Sequence, residues 1–500
     1  MTKASARILL EMRPAFDGYA GIPQETRLLF HGLSGLSEVA VEGLLQGGGH
    51  VLAEGLPPAG KEGRHPLTPD QQLNRLGRVV ISLDQSAWPS QLYAAVHTVG
   101  MAFWCGFGGS CQLSRFEAQH FQDFVWQRMF AKSLRADDFE IIAGAKFRIL
   151  RIPWSAMQIC ANVTRFVGKS IYGRLETSGF DFMIAETPFP ARVSKGTQLI
   201  VRYHDAVPLL MPDTIANRTS HRRNHYRALC RNVADGAWFV CVSEATRKEL
   251  VSIFPEAEAR SVTIYNMVSH NYFDEDSPPN RVNEILSVRL NTDVQPPLDI
   301  GYIRNTLAPD NQPTPVDYLL VVSTIEPRKN YLTLLSAWER LRCEGYPALR
   351  LVVVGSLGWH HEPITQKLQP WLERGDVLLL SEVPAADLRY LYKHAQATIS
   401  PSYWEGFGFS GVEAMMSGGA VVASAIEAHH EVYLDAAEFF NPYSIDDLVR
   451  AIHAVIDPLQ SARRNELVSR GAIVARRYSR ESVLPQWISF LESSTGGRRA

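Results

Sequence analysis

"YLLVVST" (318–324) is an apolar run closed by two hydroxyl residues; behind it Tyr331, Leu334, Leu335, Trp338 and Leu341 recur at helical spacing, and "LRLVVVGS" (349–356) returns to an unbroken run. The period switches from run to helix and back. The same alternation continues through "VLLLSEV" (377–383), "ATISPS" (397–402) and "AVVAS" (420–424). Continuous Val/Ile/Leu strands separated by helices need cover on both faces, which a parallel sheet between helical layers supplies. The C-terminal half is therefore expected to be a doubly wound α/β domain.

Working outward, "ARILLEM" (6–12), "DFMIAET" (181–187), "TQLIVRYHD" (197–205), "WFVCVSE" (238–244) and "VTIYNM" (262–267) repeat the theme, with Ser243 placed to cap the helix after its strand. Residues 276–316, with "DSPPN", "DVQPPLD" and "APDNQPTP", are rich in Pro, Asn and Asp and read as an interdomain linker. The expected division is a Rossmann-like domain over 1–275, the linker, a second Rossmann-like domain over 317–480, and a segment 481–500 whose helix crosses back onto the first domain. Two such domains enclose a cleft between the carboxyl ends of their sheets, where ligands of these folds bind.

A chain of 500 residues exceeds what one core supports, and 46% hydrophobic with 20% charged residues is the profile of a globular enzyme. Fifty basic against 52 acidic residues give −2, which argues against nucleic acid as the main partner. Six scattered cysteines lack metal or disulfide spacing, and the N-terminal apolar run is cut short by Glu11 and Arg13, so a reduced, cytoplasmic protein without a signal peptide is expected. Residues 91–113 carry no formal charge over a membrane-spanning length but are diluted by His97, two Gln and several Gly. They read as a buried helix and glycine loop, with peripheral membrane contact through the N-terminal domain as the first alternative and a transmembrane helix as the second.

The segment richest in chemistry is "SPSYWEGFGFSGVEAMMSGGAVVAS" (400–424): a strand, a glycine loop, then a helix starting near Phe409 or Ser410. That arrangement presents free N–H groups and a positive dipole end to an anion, and Gly406 and Gly408 let the backbone come close. Glu413, a turn into the helix, suits the two hydroxyls of a ribose, and Glu405 faces what hangs from the distal phosphate. The bland alternative is a structural turn with two solvated glutamates.

The eight-residue separation of Glu405 and Glu413 resembles the E-x7-E signature of retaining glycosyltransferase family 4, and the surrounding block is similar to that family's. "VVSTIEPRKNYLTLLSAW" (321–338), "VVVGSLGWHHEP" (352–363), "EVYLDAAEFFNPYSIDDLVRAI" (431–452), "VRYHDAVPLLMPD" (201–213) and "FVCVSEATRKEL" (239–250) resemble further blocks of its bacterial mannosyltransferase-like members, in order. The resemblance implies a GT-B fold and metal-independent transfer without a cofactor.

Residue by residue, it implies that Lys329 neutralises the donor diphosphate, Glu413 holds the ribose, and Glu405 with the backbone of Phe407, Gly408 and Phe409 holds the sugar, with Ser410 also on the donor. His204 matches the family histidine near the donor sugar and acceptor; its alternative is a buried strand-end histidine. The family's arginine five residues before the lysine is Thr324 here, and Arg328 is the candidate substitute. The base is expected near Val383 to Asp387. Gly18 and Gly21 resemble an acceptor- and phosphate-facing loop, or else form a plain strand-to-helix turn. His429, His430 and Glu431 tempt a metal reading, which is set aside because Glu431 sits in the closing segment; no metal is expected.

The function implied is transfer of a hexose, mannose from GDP-mannose, to a saccharide or lipid-linked saccharide acceptor in assembly of a bacterial O-antigen, capsule or exopolysaccharide, in the cytoplasm or at the inner face of its membrane. The rivals are a non-hydrolysing sugar-nucleotide epimerase of the same fold and a non-catalytic glycan- or nucleotide-sugar-binding subunit.

Overall fold

A computed structural model of the chain describes residues 5–19, 21–58, 66–84, 100, 109–164, 170–291 and 316–496. Most of the uncharged stretch 91–113 and most of the expected linker lie outside the described residues.

The strands, in chain order, are β1 (Ala6–Glu11), β2 (Val39–Gln46), β3 (Ser110–Cys111), β4 (Ser114–Glu117), β5 (Lys146–Leu150), β6 (Gly173–Leu175), β7 (Phe182–Ala185), β8 (Ala191–Arg192), β9 (Gln198–Tyr203), β10 (Trp238–Cys241), β11 (Ser261–Thr263), β12 (Tyr318–Val322), β13 (Arg350–Val354), β14 (Val377–Leu380), β15 (Ala397–Ser400), β16 (Val421–Ser424) and β17 (Ala437–Phe440). One sheet has the order β11-β10-β9-β7-β1-β2-β5-β4 and a second β14-β13-β12-β15-β16-β17, while β3, β6 and β8 form a small third sheet. Every pairing in the two large sheets is parallel except β4 against β5. In both sheets the strand order reverses beside the first strand: between β1 and β7, and between β12 and β15.

The alternation of side chains along each strand divides the apolar residues between two layers. In β1, Ile8 and Leu10 face one core and Leu9 the other. In β12, Leu320 faces one core and Leu319 and Val321 the other. These faces are all dry, which is why the strands are continuous apolar runs.

The helix Arg480–Gly496 places Val483, Leu484, Trp487, Phe490 and Leu491 in the same core as Ile8, Leu29 and Phe30, so the chain's last described helix buries its apolar side against the first sheet. The described part of the expected linker is built into the second domain instead: helix Arg281–Val288 buries Val282, Ile285 and Leu286 with Tyr318 and Leu320, and Arg289 pairs with Asp387 at 3.0 Å. Strands β2, β5 and β17 went unread because charges interrupt their apolar runs. In β2, Glu42 pairs with Arg148 of β5, a match visible only once the strands lie side by side.

Candidate active site

The carboxyl ends of the two switch points face one another across a cleft of about 560 Å³ lined by both domains. On the C-terminal side, β12 leads into Ser323–Asn330 and β15 into the glycine loop, so the two sequence-predicted donor elements emerge next to each other. Thr324, Arg328, Lys329, Glu405, Phe407, Gly408, Phe409, Ser410 and Glu413 all line the cleft, and so do His204 and Gly21 from the other side.

Gly408 caps the helix Phe409–Met416 at φ +88°, a backbone conformation that a side chain disfavours, and a Cβ there would also stand 2.4 Å from the Tyr433 hydroxyl. The free N–H groups of that first turn therefore point into the cleft with no side-chain cap. Lys329 Nζ lies 2.5 Å from Glu405 Oε1, and Arg328 bridges Glu405 Oε2 at 3.1 Å and Glu326 at 2.7 Å while donating to the Trp404 carbonyl. Burial opposes ionisation of Glu405, but Lys329, Arg328 and a hydrogen bond from Ser402 hold its carboxyl well below the usual range. Burial and the neighbouring Arg328 lower Lys329. The cations are thus fixed in place before any ligand arrives, which is what electrostatic stabilisation of a developing phosphate charge requires. Arg328 does sit in the cleft, but its fork is engaged by two carboxylates.

Glu413 is 4% exposed, and its two oxygens accept from Gln24 Nε2 at 2.8 Å and Tyr392 Oη at 2.9 Å. Gln24 belongs to the N-terminal domain, in helix Ile22–Ser34, so this bond crosses the cleft. Two more contacts close the same seam. The Gly406 carbonyl accepts from Ser243 Oγ at 2.6 Å, and a Cβ at Gly406 would lie 1.8 Å from the His204 carbonyl oxygen. Glu431 accepts the N–H groups of Glu244 and Ala245 at 2.6 and 2.8 Å, capping the helix Glu244–Ile253 of the opposite domain.

On the N-terminal wall, His204 follows β9 and its Nε2 lies 3.2 Å from Glu186 Oε2, a residue that follows β7. Glu186 was not singled out from the sequence, although its position one residue past a strand at the switch point was the available signal. It shares the wall with two other fully buried carboxyls, Glu11 and Glu25, and with fully buried Arg202, which holds Glu25 at 2.9 Å. Burial pushes Glu186 up to about 8 and His204 down to about 4, the latter helped by Arg202.

Some expected residues are elsewhere. Val383 does not line the cleft: it follows the edge strand β14 and packs, 6% exposed, among Tyr318, Leu320 and Val352, while Asp387 is taken by Arg289 and Arg281. Gly18 stays outside too, with its carbonyl bound by Arg27 at 2.8 Å, whereas Gly21 caps the cleft-lining helix Ile22–Ser34 at φ +70°. His429 Nδ1 turns to Ser424, His430 lies over the Phe439 ring and Glu431 faces the other domain, so the three do not converge. Among the described residues no group of three or more His, Cys, Asp or Glu is placed to hold a metal ion.

Comparison with known proteins adds what the chain resembles. Residues 304–470 match the family described as Glycosyl transferases group 1. O-antigen chain mannosyltransferase B of Escherichia coli is 34% identical over 174 residues, 34% of this chain and 45% of that protein, so the match spans less than half of the relative. Among solved structures, sucrose-phosphate synthase of Thermosynechococcus elongatus aligns over 98% of this chain and all of its own at 13% identity and a TM-score of 0.57. Anabaena HepE in complex with UDP and glucose aligns over 98% and 100% at 15% identity and a TM-score of 0.56, a likeness of fold. With two facing Rossmann-like sheets the chain has the GT-B architecture of these structures, and the segment that forms most of the second is similar to the group 1 glycosyltransferases.

Proposed function

We propose that the chain is a retaining, metal-independent mannosyltransferase that takes mannose from GDP-mannose to a saccharide or lipid-linked saccharide acceptor in assembly of a bacterial surface polysaccharide. The observation that carries this reading is the convergence of Lys329, Arg328 and the uncapped helix start at Phe409 on one side of the cleft, facing His204 on the other. A leaving nucleoside diphosphate gains charge as its bond to the sugar breaks, and fixed cations with a helix N-terminus stabilise that charge without a metal. The name of the E. coli relative supports mannose as the sugar, and the UDP held by HepE supports a nucleotide as the carrier. Peripheral membrane contact through the N-terminal domain belongs to the same reading. No described helix is long and apolar enough to cross a membrane.

A donor panel read by thermal shift tests the first step, because a true donor stabilises the fold by RT ln(1 + [L]/Kd). Release of nucleoside diphosphate is then followed with and without saccharide acceptors, and the anomeric configuration of the product by NMR. Acceptor-dependent release of GDP with an α-linked product is expected, and the rate should survive EDTA. Product formation without acceptor would identify an epimerase, binding without turnover a sugar-binding subunit, and loss of rate in EDTA restored by Mg²⁺ would overturn metal independence.

A further inference from the structure

Glu186 is a carboxyl without a cation of its own. It is wholly buried, its Oε2 lies against His204 Nε2 and its Oε1 has no hydrogen-bond partner. The charged groups around it are accounted for from every side. Glu11, from β1, accepts the Glu186 N–H at 3.0 Å and holds Arg13 at 2.9 Å. Glu25, from helix Ile22–Ser34, is held by Arg202 of β9, whose other donors go to the Ile264 carbonyl at 2.6 Å and Asn266 at 2.7 Å. Asp205, beside His204, accepts the Val207 N–H at 3.0 Å, and His225 lines the cleft from helix Arg218–Ala234. Each nearby guanidinium is therefore matched to another carboxylate, and an ionised Glu186 would be an unpaired buried charge, the costliest arrangement a core can hold.

A neutral carboxyl has one proton to place. On Oε1 it would be a buried donor with no acceptor; on Oε2 it meets His204 Nε2. With Nε2 accepting, the proton of the neutral imidazole sits on Nδ1, in a side chain that lines the cleft, is 10% exposed and also meets the Glu186 backbone. We propose that Glu186 is a positioning residue that keeps its proton on Oε2 and so fixes His204 as the Nδ1–H tautomer, giving the cleft a hydrogen-bond donor aimed at a sugar oxygen. The inference rests on the sugar-transfer reading above for what the donor meets, but not for the tautomer itself. When Glu186 loses its proton to solvent, the single imidazole proton moves from Nδ1 to Nε2, Nε2–H donates a hydrogen bond to the carboxylate, Nδ1 becomes a bare acceptor, and the donor is gone. Burial places that ionisation near 8.

The test uses the full-length protein with ¹⁵N-labelled histidine, whose ring nitrogens report the tautomer, and His204→Gln to assign the His204 signals. In the wild type the Nδ1–H tautomer is expected at pH 7, changing to Nε2–H as the pH rises through the range in which Glu186 loses its proton. Glu186→Gln, whose amide N–H donates to Nε2 and does not titrate, should stay Nδ1–H throughout. In turnover, kcat/KM for the nucleotide sugar should fall about tenfold between pH 7 and pH 9.5 in the wild type, while the ratio between those two pH values stays near one in Glu186→Gln. Should the variant fail to fold, the wild-type tautomer titration still decides. An Nε2–H tautomer in the wild type at pH 7, or an unchanged alkaline fall in Glu186→Gln, overturns the proposal. The tautomer is read without substrate, so the stated tautomers in a protein that transfers no sugar would refute the sugar-transfer reading instead.

Discussion

The two walls of the cleft solve opposite problems. The C-terminal wall holds two cations and an open helix start, all assembled from two loops on neighbouring strands, and the carboxylate of Glu405 is locked by Lys329 and Arg328. The N-terminal wall gathers three buried carboxyls and Arg202 from β1, β7, β9 and a helix, and leaves one proton to share between Glu186 and His204. The first is built to meet charge that appears during a reaction; the second is nearly neutral and suited to hydroxyl groups. Fixed charge can thus be encoded in two short local motifs, whereas a proton-sharing pair needs residues that only the fold brings together.

Removing the fixed charge has the largest expected effect. Lys329→Ala should lower kcat/KM by about 10²–10³, the usual cost of one charge-assisted contact to a group charged in the transition state. A loss below about tenfold would move the diphosphate charge to Arg328 and the helix start alone. Next comes the point where the walls touch. Gly406→Ala puts a methyl where the His204 carbonyl oxygen stands 1.8 Å away, backbone against backbone, so the loop and the strand end must separate. Misplacement of reacting groups by about 1 Å typically costs about 10² in rate, and that loss in kcat with the fold intact by circular dichroism is expected. Near-normal turnover would show that the closed seam is dispensable.

A smaller effect separates binding from chemistry. Glu413→Gln removes the charge of a group whose oxygens already accept from Gln24 and Tyr392, and should weaken nucleoside diphosphate binding by about tenfold or somewhat more, as a charge-assisted hydrogen bond implies. Gln24→Ala, which cuts only the bond across the cleft, should change affinity by a few-fold. Calorimetric titration checks both. A Glu413→Gln variant with normal affinity and depressed kcat would take Glu413 off the ribose.

How much of this could be read beforehand follows from where the information lies. The C-terminal strands were legible because both of their faces are dry, so each is an apolar run; β17 escaped because Glu438 interrupts "AEFF", and that charge is answered by Arg450 and Arg463 from helices. Glu405 and the glycine loop were legible as local strand-loop-helix chemistry, and Lys329 through the family resemblance. Glu186 was not, though it stood inside a strand-like block, because its meaning comes from His204 across two neighbouring strands and from the lack of a cation of its own. Gln24 was equally hidden: a polar residue on the buried face of helix Ile22–Ser34 is informative only when Glu413 is seen above it. Val383 lies away from the cleft lining for the converse reason, since a strand end at the sheet's edge looks in sequence like a strand end at the switch point.

The smallest expected effect is at Thr324, where the resemblance would place an arginine. Thr324 follows β12 and lines the cleft, and a Cβ added at Gly358 would meet its Cγ2 at 2.5 Å, so the methyl is pressed against that loop. If the positive charge needed by the diphosphate is supplied by Lys329 and Arg328, the hydroxyl contributes no more than a neutral hydrogen bond, about 0.5–1.5 kcal/mol net. Thr324→Ala should then keep kcat/KM within about a factor of ten of the wild type and leave its salt dependence unchanged. Arg328→Ala should cost more than this and less than Lys329→Ala, because its guanidinium is already divided between Glu326 and Glu405 and its removal acts partly by freeing those carboxylates. Measuring the three alanine variants side by side ranks the loop's contributions. A loss at Thr324 equal to that at Lys329 would mean that the hydroxyl itself binds the phosphate, and that the loop has replaced the absent arginine with a neutral donor rather than with a displaced cation.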